Sequence, residues 1–121
     1  MKEILLYLWQ LPQNLLGLAV KTVTKAEKDF AGFYYWKSHS GLSLGQYIFI
    51  HEHALVELAK HEEGHQKQSV MLGWLYLLII GIPSIVWAGL KSLGAFPRVS
   101  YYSFYTERWA DKLAGVKRQE D

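Results

Sequence analysis

Segment 61–65 constrains the fold of this chain more than any other part, because it reads His-Glu-Glu-Gly-His. If this segment is helical, His61 and His65 are four positions apart and lie one above the other on the same face. Their imidazole rings can then bind a single zinc ion, and Glu62 lies beside them, within reach of a water. Gly64 lowers helix stability by about 1 kcal/mol relative to alanine. We therefore expect backbone or substrate to pass close to this glycine.

A His-Glu-x-x-His pattern can also arise by chance. The chain has five histidines in 121 residues, and composition alone gives odds on the order of one per cent for such a match. The two histidines would then be ordinary residues satisfied in a core. A third ligand elsewhere in the chain is needed to separate the two interpretations.

The composition limits both the metal ligands and the partners. The chain has no cysteine, so a metal site must use histidine, glutamate or aspartate. The net charge is +2 and the basic residues are scattered, so we expect no nucleic-acid partner. The length fits one domain, 1–121. Half of the residues are apolar and 15% are aromatic, which favours either a buried core or a membrane interface.

The N-terminal part, residues 1–29, is apolar but interrupted. Gln10, Gln13 and Asn14 would each lie in hydrocarbon if this segment spanned a bilayer. We therefore predict an interfacial helix that is kinked near Pro12. An ordinary packing helix is the equal alternative.

Residues 30–51 are predicted to form a β-hairpin that leads into the helix of segment 61–65. The strands are residues 30–37, which are aromatic, and residues 44–50, which are β-prone, with turn residues between them at 38–41. The helix that carries the two histidines is predicted at 52–73.

Residues 71–90 contain no charged side chain, which makes them a membrane-span candidate by length. A straight crossing would place everything after Leu90 on the far side of the membrane from His61. The break at 81–83 instead predicts an apolar helical hairpin over residues 74–95 that dips into the bilayer. Two short core helices are the alternative. A last helix is predicted at 103–116, followed by a frayed charged tail at 117–121.

That last helix carries Glu107-Arg108-Trp109-Ala110-Asp111. The combination of H-E-x-x-H with a later E-x-x-A-D resembles the gluzincin metallopeptidases. It is most similar to their membrane-embedded group, which includes the CAAX prenyl proteases and the heat-shock membrane protease. The resemblance implies that Glu107 is the third zinc ligand after His61 and His65, that Glu62 is the general base, and that Asp111 bonds a ligand histidine.

The resemblance also implies a fold and a substrate strand. The fold is a minimal zincin-like α+β domain that is mainly α. The strand before the zinc helix would pair with extended peptide by edge addition. Its substrate-binding residues would be Leu44, Gln46, Tyr47 and Ile48.

From these features we expect a small membrane-associated zinc metallopeptidase with one Zn²⁺ ion and a peptide or protein substrate. Its expected location is a membrane, the bacterial inner membrane in particular. Two alternatives remain open. One is a non-catalytic zinc-binding membrane protein on a peptidase-like fold, and the other is a metal-free membrane interaction protein.

Two further groups of side chains have two interpretations each. One group is spaced four residues apart, at His53, Glu57 and His61, and could share a helix face as a second metal site. The favoured interpretation is that these residues, together with His51 and Glu52, are surface groups at the start of a helix. A hydroxyl among Tyr101, Tyr102 and Tyr105 could stabilise an oxyanion, although an aromatic belt at the membrane interface is favoured.

Overall fold

The computed structural model describes residues 2–28, 32–38 and 40–116. These residues form a mainly helical α+β fold with one four-stranded sheet, as the sequence predicts. The tail at 117–121 and the start of the predicted first strand at Phe30 lie outside the described residues.

The described helices are α1 (Lys2–Trp9), α2 (Leu11–Thr24), α3 (Val56–Leu72), α4 (Ile82–Ser92) and α5 (Tyr105–Ala114). The described strands are β1 (Glu27–Lys28), β2 (Tyr34–Tyr35), β3 (Leu42–Leu44) and β4 (Tyr47–Ile50). A 3₁₀ turn (Gly73–Leu75) and a π-helical segment (Leu77–Gly81) connect α3 to α4, and a second 3₁₀ turn (Tyr101–Ser103) precedes α5. Helix α3 therefore begins four residues later than the predicted start at 52 and ends one residue before the predicted end at 73.

The sheet has the order β1-β2-β4-β3, and its hairpin lies later in the chain than predicted. Strands β3 and β4 form the antiparallel hairpin around Gly45 and Gln46, whereas β2 pairs with β4 in parallel. The prediction that residues 30–37 pair with 44–50 as a hairpin is therefore wrong. The tight turn forms at Gly45 because this glycine takes φ +64°, and because the Asn14 side chain accepts a hydrogen bond from Gln46 N at 2.7 Å.

A small aromatic core covers one side of the sheet. Phe49 is fully buried, and Tyr34 and Ala26 pack with it. Trp36 stacks on the Phe49 ring with 5.2 Å between the centroids. This cluster holds the inner strand β4 in place. Because β4 ends at Ile50, shortly before α3 begins at Val56, the cluster also positions the segment that leads into α3.

The polar residues of the N-terminal segment point inward. Gln10, Gln13 and Asn14 are at most 1% exposed. Gln13 Nε2 donates hydrogen bonds to Ser69 Oγ at 2.7 Å and to the Gly73 carbonyl at 2.9 Å, and Ser69 Oγ donates to Gln10 Oε1 at 2.6 Å. The segment is thereby fastened to the C-terminal end of α3.

The helical segment is interrupted next to Pro12, where a kink is predicted. Gln10 separates α1 from α2, and Pro12 lies in the first turn of α2, where its missing N–H leaves no helical bond unmade. Both helices turn large apolar side chains to the outside. The most exposed of these are Val23, Ile4, Leu5, Leu8, Trp9, Leu15 and Leu16.

The apolar stretch bends at a different point from the predicted one. The sharp change of direction, 120°, lies between Val56–Leu75 and Leu77–Ser92, where Gly73 takes φ +56° against the Trp9 ring. The predicted hairpin at 74–95 with a break at 81–83 is therefore wrong, since one continuous helical run covers Leu77–Ser92.

Pro83 does not break this run because its neighbours compensate for its missing N–H. In an α-helix the N–H of residue 83 would bond the carbonyl of Ile79. Here the Tyr105 hydroxyl donates a hydrogen bond to that carbonyl at 2.6 Å, and the π-helical segment absorbs the change in pitch.

In the part of the chain that the structure describes, no single helix is long and apolar enough to span a membrane. The pair on either side of the 120° bend meets the length and composition criteria only when its two members are taken together.

Helices α3 and α5 cross in close contact at Gly64. A Cβ at this position would lie 2.0 Å from the Ala110 carbonyl oxygen, and Ala110 is itself fully buried. The expectation that backbone passes close to Gly64 is therefore confirmed. Because both residues are small, the two helix axes can approach closely enough for their functional side chains to meet.

We predict that Gly64→Ala lowers the free energy of unfolding by about 2 kcal/mol or more, because the added methyl group forces α3 and α5 apart. Gly89→Ala is the matched control, since a Cβ at Gly89 would meet no atom within 4 Å. This control should be neutral or stabilise its helix by up to about 1 kcal/mol. Denaturant unfolding of both variants measures the difference, and equal stabilities would contradict the close crossing.

Candidate metal centre

Three side chains from α3 and α5 converge on one point. His61 Nε2 lies 2.8 Å from Glu107 Oε1, and His65 Nε2 lies 2.9 Å from the same oxygen. The three residues are between 0% and 6% exposed. Within the described residues, they form a group whose ligand atoms all lie within 4.8 Å of one another. The group can therefore hold a metal ion, as the sequence predicts.

The other ring nitrogen of each histidine has a partner. His61 Nδ1 lies 2.7 Å from Asp111 Oδ1, and His65 Nδ1 lies 2.7 Å from Gln68 Oε1. These acceptors favour the tautomers in which Nδ1 carries the proton, which leaves both Nε2 atoms as ligands. Asp111 thus occupies the position beside a ligand histidine that the resemblance implies.

Gln68 is a site residue that the sequence interpretation missed. Besides accepting from His65, it donates from Nε2 to the Thr106 carbonyl at 3.0 Å, and it is fully buried. One amide thereby joins the second histidine of α3 to the first turn of α5. The available signal was its position three residues after His65, which places a polar side chain on the same helix face.

Both carboxylate oxygens of Glu107 have hydrogen-bond partners. Oε1 faces the two histidines, and Oε2 accepts a hydrogen bond from Thr106 Oγ1 at 2.8 Å. Burial alone would raise the pKa of Glu107, but hydrogen bonds from His61 and His65 hold it well below its ordinary value. Burial likewise disfavours charged His65, but the hydrogen bond to Glu107 and the charge of nearby Glu62 raise its pKa to about 9. The carboxylate and the rings thus attract each other strongly.

The chemistry of this donor set suits zinc. Two neutral imidazole nitrogens and one carboxylate oxygen match the three protein ligands of a catalytic zinc site, which keeps a further position for water or substrate. The ligand side chains are buried and oriented by Asp111 and Gln68, as ligands of a specific site usually are. The residues present therefore fit a divalent zinc ion.

Glu62 lies on the wall of the same site, but its carboxylate does not belong to the group of ligand atoms formed by His61, His65 and Glu107. It is 4% exposed, and a Cβ on Gly41 would fall 2.5 Å from its Oε2. Gly41 therefore leaves the room that the carboxylate occupies. Burial raises the pKa of Glu62, although His65 and His61 act in the opposite direction. A carboxylate with a raised pKa is a better proton acceptor.

Two spaces border this wall and share some of their lining residues. A cavity of about 80 Å³ is lined by Glu62, His65 and Glu107, among others. A larger cleft of about 690 Å³ reaches His61 and Glu62 from the outside. Tyr101 borders both spaces, and burial together with the charges of Glu107 and Glu62 raises the pKa of its phenol.

The histidines before α3 lie along the outer cleft. His51 and His53 both line it, and His53 N donates to His51 Nδ1 at 3.2 Å. Because α3 begins at Val56, His53 is outside the helix and cannot share a helical face with Glu57 and His61. The second metal site that this spacing allowed is therefore not formed by these residues.

The four residues of the predicted substrate strand lie in three elements. Tyr47 and Ile48 belong to β4, an inner strand of the sheet that pairs with β3 here and with β2 farther along. Gln46 is in the turn, with its N–H bonded to Asn14. Leu44 belongs to the edge strand β3 and lines the cavity beside the metal-binding group, so of these four residues it is the one placed at an edge of the sheet.

Comparison with protein families, with curated proteins and with solved structures found no match to this chain. Its function is therefore inferred from the side chains and distances described above.

We predict that Gln68→Leu weakens zinc binding about 10- to 100-fold, because His65 loses the acceptor that orients its ring. Gln66→Leu is the matched control, since Gln66 borders a separate groove that neither histidine lines and should leave the affinity unchanged. Competition with a chromophoric zinc chelator measures both variants. Equal affinities would show that the amide does not orient the ligand.

Proposed function

We propose that this chain is a small membrane-associated zinc metallopeptidase. The observation that carries the proposal is the convergence of His61, His65 and Glu107 on one point, with the Glu62 carboxylate on the adjoining cavity wall. If the H-E-x-x-H pattern had arisen by chance, there would be no reason for a carboxylate 46 residues away in sequence to lie against both of its histidines. A kinship with the gluzincins is part of the proposal and rests on the same residues.

His61, His65 and Glu107 would hold the zinc ion. When bound, zinc supplies Lewis-acid activation of water and of a peptide carbonyl. With zinc bound, Asp111 and Gln68 would accept hydrogen bonds from the two Nδ1 atoms, so that the Nε2 atom of each imidazole faces the metal. The chain itself therefore fixes the ligand directions before a substrate arrives.

Glu62 performs the proton transfers. As the oxygen of a water molecule adds to the carbonyl carbon of the substrate, Glu62 accepts the proton that the water gives up. The same carboxyl then delivers this proton to the amine nitrogen as the C–N bond breaks. The raised pKa that burial gives Glu62 suits both directions of transfer.

The substrate would lie extended along β3. Leu44 and Tyr47 flank the two-residue turn and pair with each other, so they form the hydrogen-bonded closing pair of the hairpin. The next residue, Ser43, is then in a non-hydrogen-bonded pair, so its N–H and carbonyl face away from β4; the carbonyl accepts a hydrogen bond from the Tyr76 hydroxyl at 3.3 Å, and the N–H is the group that faces an added strand. A peptide added at this edge passes the cavity that Glu62 and Glu107 line.

The membrane part of the proposal is supported by an inverted distribution of polarity. Buried glutamine, asparagine and serine side chains lie between α2 and α3, while large apolar side chains of α1, α2 and the run from 74 to 86 are exposed. We call the exposed set the apolar belt; it consists of Ile4, Leu5, Leu8, Leu15, Leu16, Trp74, Leu75, Leu78, Ile82, Ile85 and Val86. An exposed apolar surface of this extent favours contact with lipid.

We predict that Glu62→Gln retains zinc but loses at least about 100-fold in peptide hydrolysis, because the amide cannot accept the proton from water. The change is nearly isosteric, so the cavity wall should keep its shape. Hydrolysis of a fluorogenic peptide library and elemental analysis of the same samples provide the two measurements. Glu63→Gln, on the exposed face of α3, is the control and should behave as wild type.

Unchanged hydrolysis by Glu62→Gln would disprove the mechanism. Zinc bound in equal amounts, with no hydrolysis by the wild-type protein, would instead favour the non-catalytic zinc-binding alternative.

We predict that replacing Leu78 and Ile82 together by glutamate weakens association with lipid vesicles at least tenfold, because both side chains belong to the apolar belt and are 67% and 57% exposed. Val56→Glu is the control, since Val56 is 70% exposed but lies outside the belt. Flotation of the purified proteins with phosphatidylethanolamine–phosphatidylglycerol vesicles measures the difference. Equal flotation of all three proteins would argue against insertion through the belt.

A further inference from the structure

A groove that is separate from the metal centre runs along α3. Its walls also include residues of α1, β1, β4 and the last turn of α5, and its volume is about 690 Å³. This volume falls within the roughly 300–1,000 Å³ of pockets that hold small molecules. We call it the α3 groove, because five residues of that helix line it: Glu63, Gln66, Lys67, Val70 and Met71. No member of the metal-binding group lines it.

The wall that α3 contributes changes from charged to apolar along the helix. Its five residues follow the three- and four-residue spacing of a single helix face. Glu63 and Lys67 come first, and Val70 and Met71 follow about one turn later, ~5 Å along the axis. Val70 and Met71 are exposed although they are apolar. A ligand that matches this wall is therefore amphiphilic, with a polar group at one end and hydrocarbon at the other.

The apolar end of the groove lies against α1. Trp9 Nε1 donates a hydrogen bond to the Val70 carbonyl at 2.6 Å, and Leu6 of the same helix lines the groove. Leu5 and Leu8, which are close to Leu6 in sequence, belong to the apolar belt. Because one helix carries both surfaces, hydrocarbon in contact with the belt also reaches the apolar end of the groove.

The charged side chains of the groove carry an excess of positive charge. Lys28 and Lys67 both line it, against the single carboxylate of Glu63. Lys67 is four residues after Glu63, a spacing that allows an ion pair, but its ammonium instead donates to the Leu113 carbonyl at 3.0 Å. Within the described residues, neither lysine forms an ion pair with a carboxylate. Both ammonium groups are thus available to an anionic headgroup.

We propose that the α3 groove binds a single-chain anionic amphiphile, namely a free fatty acid. The acyl chain lies along Leu6, Val70 and Met71, and the carboxylate accepts hydrogen bonds from Lys28 and Lys67. The groove has the volume of a drug-sized ligand, which one acyl chain with its carboxylate fits and a phospholipid with two chains exceeds. The inference goes beyond the peptidase function and needs no zinc.

The test is photolabelling with a fatty acid that carries a diazirine in its chain. The full chain is reconstituted in phosphatidylcholine nanodiscs and irradiated, and the labelled residues are mapped by mass spectrometry. We expect labelling of Leu6, Val70 and Met71 that excess oleate lowers at least about tenfold and that oleyl alcohol leaves unchanged, because the alcohol has no charge for the lysines. Leu78 and Ile82 of the apolar belt should be labelled without competition, since they contact bulk lipid.

Charge variants test the role of the lysines. Lys28→Met combined with Lys67→Met should lower the labelling of the groove at least about tenfold, because the carboxylate loses both cations. Lys60→Met combined with Lys112→Met is the matched control, since it removes the same charge from exposed lysines that do not line the groove. Thermal unfolding of both double variants shows whether they fold. If loss of the Lys67 bond to Leu113 unfolds the first one, Lys28→Met alone carries the test and should lower the labelling at least about threefold.

The other outcomes disprove the inference. Labelling of the groove that oleate does not displace would show contact with bulk lipid only. Equal competition by oleyl alcohol, or labelling that survives the loss of the lysines, would show that no anion is recognised. Labelling of the belt without the groove would show that protein fills it, either another segment of this chain or a second copy. None of these results bears on the peptidase, which the hydrolysis assay of Glu62→Gln tests separately.

Discussion

The contact between Gly64 and Ala110 is the constraint on which the functional site depends. The Glu107 carboxylate can reach both histidines only if α3 and α5 cross with their backbones nearly touching, and a single methyl group on Gly64 would collide with the Ala110 carbonyl. Thr106, Glu107 and Asp111 lie on the face of α5 that this crossing buries. The glycine of H-E-x-x-H and the alanine of E-x-x-A-D thus act together: because both residues are small, the two helices approach closely enough for the carboxylate to contact the imidazoles.

The interior around that crossing is polar, which is unusual for a chain of this size. The free energy needed to bury Gln10, Gln13, Gln68 and Asp111 is offset by hydrogen bonds that join separate elements, such as those from Gln13 to Ser69 and from Gln68 to the Thr106 carbonyl. Such bonds are directional, so they fix the register of α2 and α5 against α3 more strictly than apolar contacts would. Many large apolar side chains lie on the outer surface instead.

Local features of the sequence predicted the convergence of the two histidines well, because their geometry follows from helix periodicity. The four-residue spacing of His61 and His65 places them on one face whatever the rest of the fold does. The third ligand needed a comparison of motifs, because nothing in the spacing of Glu107 and Asp111 shows which helix they meet. Gln68 escaped notice because a glutamine on a helix is usually solvated, and only its burial identifies it as the partner of His65.

Long-range pairing was harder to predict, and the errors have physical causes. The aromatic run around Tyr34 has the composition of a hairpin strand, but β4 forms its hairpin with β3 instead, around a turn at Gly45 that Asn14 stabilises from a distant helix. Pro83 is a strong helix breaker in isolation, and its effect is cancelled by the Tyr105 hydroxyl on another element. Both errors arise where a remote side chain supplies what the local backbone lacks.

The hydrogen bond from Tyr105 to Ile79 has a mechanical consequence. Tyr105 is two residues before Glu107 on α5, while Ile79 is in the helical run that carries part of the apolar belt. If the belt sits in lipid, a change in bilayer thickness or lateral pressure that tilts this run strains the first turn of α5. The physical state of the membrane then acts on the position of a ligand carboxylate through one phenol.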